Sequence, residues 1–361
     1  MEQLNVTFLI TDFHFGGGGE RAVANLANYF TTTLDYHVEI ISFHRQKTSP
    51  VYYLDKNIEI KYLNVDQEPT NSISNVYSKL KTYKRLKAYI NNNYRKSIII
   101  SIGPYANILL AYIKRTNIRR IGYEQNSFKS VNFLWSFFRG ISYKHLDATI
   151  SLTEKDFSLL NQISSKCFVI PNTRSFSVNI NRKNNKQILA IGRLSYQKGY
   201  NYLLDIFEKL SKQIPDWNLR IVGDGPLHDW LLNEIQKRRL QNRISYIPLS
   251  ENIADEYLNS SIYLMTSRFE GLPLVLLEAQ AFGLPIVSFD CDTGPSDVVN
   301  DGSDGFLVDL YDVDAMIKKV RLLTDDENLR TVFSLNARLN SDKFSAENVC
   351  LKWQKVFSEL D

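Results

Sequence analysis

Short apolar runs alternate with stretches of helical period along almost the whole chain, and this alternation limits the possible folds more than any other feature. Strands that alternate with helices in this way usually run parallel within one sheet. The first half predicts strands at residues 6–10, 38–43, 58–63, 97–101, 121–123, 148–151 and 167–170, and helices at 20–30, 76–90, 107–114 and 154–161. The second half predicts strands at 187–191, 219–222, 244–247, 262–265 and 285–288, and helices at 200–213, 227–237, 254–258 and 274–282. Two such series predict an α/β protein with two Rossmann-like domains.

The length of 361 residues also favours two domains, because one hydrophobic core rarely organises so long a chain. The segment 173–186 is polar and lacks helical period, which is typical of a linker. We therefore predict an N-terminal domain at 1–172 and a C-terminal domain at 187–345. Apolar residues at helical spacing predict a terminal helix within 346–361.

The composition is that of a globular protein, with 44% hydrophobic and 23% charged residues. No apolar run approaches the ~18 residues that a membrane-spanning helix needs. The cysteines, Cys167, Cys291 and Cys350, are few and far apart, which argues against a disulfide framework or a zinc site. These features predict a reduced, cytoplasmic protein.

Positive charge is concentrated in one part of the first half. Residues 69–146 contain 14 Lys and Arg, and Glu124 is the only acid among them. Such a block indicates an anionic partner, which could be lipid headgroups, a diphosphate-bearing substrate or nucleic acid. A solvated basic surface without a partner is the alternative.

The segment 267–283 carries the strongest indication of chemistry. It predicts a short, almost wholly apolar helix that contains one carboxylate, Glu278, and that follows a loop with a second carboxylate, Glu270. Pro273 suits the start of this helix and Gly283 its end. Anions are favoured at the amino end of a helix, where the main-chain amides lack partners. Two carboxylates beside such a helix end suit a nucleotide-sugar site, although Glu278 could instead pair with an internal cation.

Two glycine-containing loops follow predicted strands in equivalent positions of the two halves. Gly16 to Gly19 could bring main-chain amides close to a phosphate or a sugar, but their spacing is not the dinucleotide fingerprint. In the second half, Arg193 and Lys198 lie five residues apart in the loop and could converge on one diphosphate. A flexible turn and two surface cations are the respective alternatives.

A third candidate, the pair Asp290 and Asp292, has the spacing of a D-x-D metal signature, but its position at a strand end favours an ordinary loop. Because the sequence offers no other cluster of metal ligands, we predict no metal site.

Together these features resemble a retaining glycosyltransferase of family 4, with the two-domain GT-B fold, over essentially the whole chain. The resemblance rests on motifs that occur in family order, which are Ile191-Gly-Arg-Leu with Lys198-Gly, then Arg268-Phe-Glu270-Gly-Leu-Pro with Glu278-Ala and Gly283-Leu-Pro, then Asp290 with Thr293-Gly-Pro. Gly17-Gly-Gly-Glu-Arg and Val169-Ile-Pro-Asn172 in the first half are also similar to the family. The fold it implies is two Rossmann-like domains that face a cleft, of which the first binds the acceptor and the second the nucleotide sugar. The resemblance also implies that the terminal helix within 346–361 packs back on the first domain.

The resemblance also implies roles for matching residues. Arg193 and Lys198 would neutralise the donor diphosphate, Glu270 would hold the donor sugar, and Glu278 would accept from the ribose hydroxyls. The remaining donor contacts would come from main-chain amides at Gly17, Gly18, Gly271, Leu272 and Leu274. Many relatives have a histidine after the fourth strand of the first domain, and this chain has none there. Tyr105 or Asn107 could replace it, and Glu124 is a weaker acceptor-side candidate.

The implied reaction moves a hexose or N-acetylhexosamine, with retention, from a nucleotide donor, expected to be UDP, and needs neither metal nor cofactor. The expected acceptor is a lipid-diphosphate-linked glycan of surface-polysaccharide assembly, reached from the cytoplasmic face of the membrane. The basic region 69–146 would then contact anionic lipid rather than nucleic acid, helped by the aromatic residues Tyr77, Tyr83, Tyr89, Phe133, Trp135, Phe137 and Phe138. The alternatives are a soluble sugar or protein acceptor, a sugar-binding protein on an inactive transferase scaffold, and an NAD-dependent oxidoreductase.

Overall fold

The structure is a computed structural model. It describes residues 3–45, 50–65, 72–94, 96–176, 185–250 and 252–360. Side chains are described for all of these residues except 72–77. The chain forms two compact units. The first comprises Met1–Thr173 together with Ala346–Asp361, and the second comprises Arg174–Ser345.

The first unit is built on a seven-stranded parallel sheet. Its strands are β1 (Asn5–Ile10), β2 (His37–Ser42), β3 (Glu59–Tyr62), β4 (Ser97–Ile102), β5 (Ile118–Tyr123), β6 (Ala148–Ser151) and β7 (Cys167–Val169). They lie in the order β3-β2-β1-β4-β5-β6-β7. The helices between them are α1 (Gly18–Thr32), α2 (Ser72–Asn93), α3 (Gly103–Ala111), α4 (Phe133–Ser142) and α5 (Glu154–Leu160). All six residues of β4 are buried, as is usual for a parallel strand that is covered on both faces.

The second unit has a six-stranded parallel sheet. Its strands are β8 (Gln187–Ile191), β9 (Asn218–Val222), β10 (Ile244–Ile247), β11 (Ile262–Met265), β12 (Ile286–Asp290) and β13 (Gly305–Asp309), in the order β10-β9-β8-β11-β12-β13. Its helices are α6 (Tyr200–Ser211), α7 (His228–Lys237), α8 (Ile253–Leu258), α9 (Leu274–Ala281), α10 (Pro295–Val298), α11 (Val313–Asp325) and α12 (Glu327–Ser341). The core is aliphatic and aromatic, with Phe207, Leu219 and Leu264 among its buried members.

The terminal helix α13 (Ala346–Leu360) belongs to the first unit. Its Trp353 is fully buried, and the ring lies 5.2 Å from the ring of Tyr123 and 6.4 Å from that of Phe30. Val349, Trp353, Val356 and Leu360 recur at helical spacing and are all buried, so this helix covers the core with one apolar face.

The predicted fold class is confirmed, and every predicted strand forms, with ends shifted by at most three residues. The elements β13, α4, α10, α11 and α12 were not predicted from the sequence. Residues 177–184 of the predicted linker lie outside the described residues. Among the described residues, no helix combines the length and the apolar character that a membrane crossing requires.

Candidate active site

The candidate site of the second unit lies where its strand order reverses. From β8 the chain proceeds outward through β9 to β10 and then returns to β11, on the other side of β8. In open parallel sheets of this kind, ligands bind outside the carboxyl ends of the strands at such a reversal. The loops after β8, β11 and β12 all lie at this edge, and they carry most of the residues that the sequence singled out.

A close contact of Gly199 joins the first two loops. Its φ is +66°, in the left-handed region, and a Cβ there would overlap the carbonyl oxygen of Thr266, which follows β11. The Thr266 hydroxyl donates to the carbonyl oxygen of Lys198 at 3.1 Å. Glycine is therefore required at this position, and it fixes Lys198 beside the loop that contains Glu270.

Lys198 and Glu270 form an ion pair, with Lys198 Nζ 2.7 Å from Glu270 Oε1. The two side chains are 19% and 8% exposed, so solvent screens this pair less than a surface pair. Gln197 donates to the other carboxylate oxygen at 3.4 Å, and the Thr293 hydroxyl donates to the Glu270 carbonyl oxygen at 2.6 Å. Glu270 is thus held by contacts to the loops after β8 and β12.

The loop after β12 packs closely against the amino end of α9. Gly294 has φ +99°, and a Cβ on it would overlap the Gly271 carbonyl oxygen and lie 2.7 Å from Pro273 Cδ. Pro273 is the residue before α9, so the amides of Leu274 and Val275 lack acceptors within the helix, while the Leu276 N–H donates to the Pro273 carbonyl oxygen at 2.9 Å. Together with the loop amides of Gly271 and Leu272, they form a positive end of the helix dipole beside Glu270.

Arg193 lies in the same loop as Lys198. Its side chain is exposed, and the stem of Lys198 covers the neighbouring Gly192, where a Cβ would lie 3.3 Å from Lys198 Cε. Tyr200 donates to the Gly192 carbonyl oxygen at 2.6 Å and fixes this part of the loop. Both predicted cations therefore belong to one short segment after β8.

Glu278 lies inside α9 and has no exposed surface. Its Oε1 accepts from the Ser175 hydroxyl and its Oε2 from the Tyr257 hydroxyl, each at 2.8 Å. Hydrogen bonds of this kind offset the cost of burying a carboxylate. Helix α9 is buried on most sides, which agrees with its almost wholly apolar sequence, since Leu276, Leu277 and Ala279 are also fully buried.

Comparison with known proteins identifies the family. Residues 172–340 match the family described as glycosyl transferases group 1. An uncharacterized glycosyltransferase of Haemophilus influenzae is 30% identical over 361 residues, which cover 97% of this chain and 99% of that one. The chain belongs to the glycosyl transferases of group 1.

Two further proteins bear on this transferase. The GalNAc-alpha-(1->4)-GalNAc-alpha-(1->3)-diNAcBac-PP-undecaprenol alpha-1,4-N-acetyl-D-galactosaminyltransferase of Campylobacter jejuni is 26% identical over 365 residues and 99% of each chain. The crystal structure of Anabaena HepE in complex with UDP-glucose has a TM-score of 0.80 at 16% identity, and covers 99% of this chain and 100% of that one. The latter likeness concerns the fold, which is GT-B.

Arg268 joins the site loops of the transferase, a role that was not predicted from the sequence. Its guanidinium lies 4.0 Å from the ring centre of Tyr196 and 5.0 Å from that of Tyr202. It also donates to the Tyr196 carbonyl oxygen, and to Asn201 Oδ1 at 2.7 Å. Arg268 therefore joins the loop after β11 to the segment after β8. Its partners Tyr196 and Asn201 lie 72 and 67 residues earlier in the chain, so no local sequence pattern could have revealed this contact.

The loop after β12 contains a buried cysteine. Burial, followed by the charges of Glu270 and Asp290, raises the pKa of the Cys291 thiol to about 12, so Cys291 remains a neutral thiol. Asp290 and Asp292 on either side are exposed. Within the described part of the chain, no group of three or more His, Cys, Asp or Glu side chains is arranged to hold a metal ion.

In the first unit, the glycine loop after β1 forms the start of α1. Gly17 is the residue before the helix, and its N–H donates to Glu20 Oε2 at 2.7 Å. Burial raises the pKa of this Glu20 carboxyl. In this structure the Gly17 amide therefore has an internal acceptor, while Gly18 is the first residue of the helix.

The candidates after β4 and β5 form a buried polar cluster. Asn107 is fully buried, and its amide donates to Glu124 Oε1 at 3.1 Å and to the Tyr143 hydroxyl at 2.9 Å. Burial raises the pKa of Glu124, against the lowering influence of Arg139 and the hydrogen bonds from Tyr143 and Asn107. Tyr105 is half-buried and packs on other aromatic rings. Asn107 thus supports the fold in this structure, with no surface open to a substrate.

Proposed function

We propose that this transferase moves a hexose or N-acetylhexosamine from a UDP donor to a lipid-diphosphate-linked glycan, with retention of configuration. The observation that carries the donor half of the proposal is the ion pair of Lys198 with Glu270 beside the amino end of α9. A sugar diphosphate requires positive charge for its phosphates, donors for its anionic oxygens and an acceptor for its sugar hydroxyls. The ammonium, the helix amides and the carboxylate offer these three in one cluster of loops.

Lys198 and Arg193 are proposed to bind the diphosphate of the leaving nucleotide. The Lys198 ammonium has three N–H donors, and its contact with Glu270 leaves two for phosphate oxygens. Arg193, from the same loop, adds a planar guanidinium suited to a phosphate. Because these charges can neutralise the diphosphate, we propose that the reaction needs no metal ion.

The chemical step then depends on position and charge. The bond between the anomeric carbon and the diphosphate oxygen breaks, and the acceptor hydroxyl forms its bond to that carbon on the same face. The departing phosphate takes the proton of the hydroxyl, so no side chain has to act as the nucleophile. Glu270 holds the sugar hydroxyls, and the electrostatic support of the leaving group lowers the barrier.

Glu278 is proposed to bind the ribose of the donor. In this structure the hydroxyls of Ser175 and Tyr257 each donate to one of its two carboxylate oxygens, so the group already accepts from hydroxyls, as a ribose site requires. Since the carboxylate has no exposed surface, the ribose contact requires the Ser175 hydroxyl to move aside. Tyr257 would keep the carboxylate in place meanwhile.

The proposed acceptor is supported by the positive charge of residues 69–146 and by the acceptor of one relative. The name of the Campylobacter jejuni relative gives it an undecaprenol-linked glycan. The 14 cations of residues 69–146, with one acid, suit the anionic surface where such an acceptor resides. We therefore assign the transferase to surface-polysaccharide assembly at the inner face of the cytoplasmic membrane.

Donor binding and transfer are tested separately. Calorimetric titration with UDP and with NAD distinguishes a sugar transferase from an oxidoreductase, and tight NAD binding without UDP binding would refute the donor proposal. Incubation with a panel of UDP-sugars and a lipid-linked glycan extract, in the presence of a metal chelator, should then yield a glycoside with the anomeric configuration of the donor. Binding of UDP with neither transfer nor donor hydrolysis would indicate an inactive sugar-binding scaffold.

A further inference from the structure

Helix α4 buries polar side chains and exposes apolar ones, which is the reverse of an ordinary surface helix. Its fully buried side chains are polar, namely Arg139 and Ser142. Five of its six large apolar side chains point to solvent instead, and we call them the α4 patch: Phe133, Leu134, Phe137, Phe138 and Ile141, with exposed fractions of 86%, 63%, 56%, 42% and 40%. Their spacing puts them on one face of the helix. Water is a poor solvent for five such neighbours, so this face indicates a partner.

The buried side of α4 explains why the patch stays outside. The Arg139 guanidinium lies 3.6 Å from the ring centre of Phe128 and donates to the Phe128 carbonyl oxygen at 2.8 Å. Trp135 packs against Tyr105, with 5.9 Å between the ring centres, and Asn132 caps the helix by accepting from the Trp135 N–H. The helix is thus anchored by its polar side and by one tryptophan.

Cations flank helix α4, which carries the patch. Lys79 Nζ lies 4.8 Å from the ring centre of Trp135, and the exposed Lys129 and Lys144 stand just before and just after the helix. The one acid of residues 69–146, Glu124, is 3% exposed. Helix α5, which packs against residues 128–130, adds the exposed Glu154 and Lys155, whose charges offset each other, and the buried Asp156, whose Oδ1 accepts from the Phe128 N–H at 3.0 Å.

We propose that the α4 patch inserts into the headgroup region of an anionic lipid bilayer, with Lys79, Lys129 and Lys144 on the lipid phosphates. Interfacial helices of this kind combine exposed aromatic and aliphatic side chains with flanking cations. A second copy of the chain is disfavoured as the occupant, because it would bring the same cations face to face. The proposal rests on the proposed function, since a lipid-linked acceptor is what requires this surface, and it names the element that makes the contact.

Vesicle flotation tests the inference without any measure of activity. The full-length protein should float with phosphatidylcholine vesicles that contain phosphatidylglycerol, and not with phosphatidylcholine alone. The triple variant Phe133→Ser, Leu134→Ser, Phe137→Ser should partition at least about tenfold more weakly, because it removes most of the inserted apolar area. About 0.5 M salt should also weaken binding, because it screens the cations. The matched control is Val332→Ser, Leu335→Ser, Leu339→Ser, which removes three apolar side chains from α12 that are 55%, 60% and 68% exposed.

Two further measurements exclude a trivial loss of binding through misfolding. The charge reversal Lys129→Glu, Lys144→Glu changes only exposed side chains and should reduce binding to the anionic vesicles. Brominated lipid should quench the fluorescence of Trp135, a loss that Trp135→Phe removes. Failure of the wild type to float, equal loss in the α12 control, or a dimer in light scattering that the α4 variant abolishes would each overturn the inference. UDP binding by the same samples shows whether the proposed function stands independently of this result.

Discussion

At the scale of single residues, Lys198 does two things. It pairs with Glu270 inside the protein, and it supplies a charge for the donor diphosphate. We expect Lys198→Ala to lower turnover by roughly 10²–10³-fold, the scale of losing one preorganised electrostatic group. Lys209→Ala is the control, because it removes an exposed lysine that pairs with Asp314 at the surface. Initial rates with a saturating UDP-sugar measure the effect, and near-normal turnover of the Lys198 variant would contradict its role.

Glu124 gives a prediction about pH. Burial raises its pKa above the ordinary value of 4.5, so the folded state binds this proton more tightly than the unfolded state does. The stability that Glu124 contributes is therefore present at low pH and lost as pH rises through the raised pKa. Glu124→Gln keeps an acceptor for Asn107 and Tyr143 but cannot ionise, so its stability relative to wild type should increase with pH.

Urea titrations at several pH values, read by hydrogen exchange in β4 and β5, measure this difference for the first unit alone. Glu154→Gln, at an exposed position, is the matched control. A stability difference between wild type and Glu124→Gln that stays constant with pH would show that the buried carboxyl does not titrate as its surroundings require.

The sequence predicted the chemical types of the site residues better than their contacts. It singled out Glu278 because a carboxylate inside an apolar helix is unusual, Glu270 because it precedes the amino end of that helix, and Lys198 because it lies with Arg193 in a glycine-containing loop. It could not predict that Lys198 bonds Glu270, 72 residues away, or that Ser175 and Tyr257 cover Glu278. Such pairs depend on how the strands are ordered in the sheet, and no local pattern encodes that order.

At the scale of elements, the site depends on loops that fit closely. Gly294→Ala should misplace the loop after β12, since its Cβ would overlap the Gly271 carbonyl and φ +99° is strained for alanine. We expect a loss of about 1–3 kcal/mol in the stability of the second unit, together with weaker donor binding. Gly140→Ala is the control, because a Cβ at that position in α4 meets open space. Thermal melting and UDP titration measure both effects, and a Gly294 variant with unchanged values would argue against the close fit.

Helices and strands were predicted correctly where the hydrophobic pattern of the sequence was regular, and were missed where it was not. The buried strands are short apolar runs, and all of those predicted form. Helix α4 was missed because its exposed face is apolar and its buried face holds Arg139, the reverse of the usual pattern. β13 was missed because Gly305 opens it and Asp309 closes it, and both residues are typical of turns.

At the scale of the whole molecule, the end of the chain completes the first unit. Trp353 is fully buried between Phe30 and Tyr123, so Trp353→Ala should destabilise this unit by about 3–5 kcal/mol. Deletion from Ala346 onward should have a larger effect. Hydrogen exchange should report the loss in β1 and α1 rather than in β11. Leu351→Ala, at an exposed position of α13, is the control, and unchanged exchange in the truncated protein would contradict this role of the helix.

The two-sheet organisation could be predicted from the sequence because two series of strands and helices are separated by a polar segment. The membership of α13 in the first unit was implied only by the family resemblance, since the pattern of the helix shows an apolar face and not what that face covers. Likewise, the sequence did not predict that α4 exposes its apolar face, because that depends on which side of the helix packs on the first unit.

The central claim is that Arg193 and Lys198 recognise the diphosphate of a nucleotide sugar. Titration of UDP and of UMP into the wild type and into the double variant Arg193→Ala, Lys198→Ala tests it most directly. The wild type should bind UDP at least about tenfold more tightly than UMP, because a second phosphate adds charge-assisted contacts, and the variant should lose that preference while it still binds UMP. Equal preference for UDP in both proteins would contradict the claim.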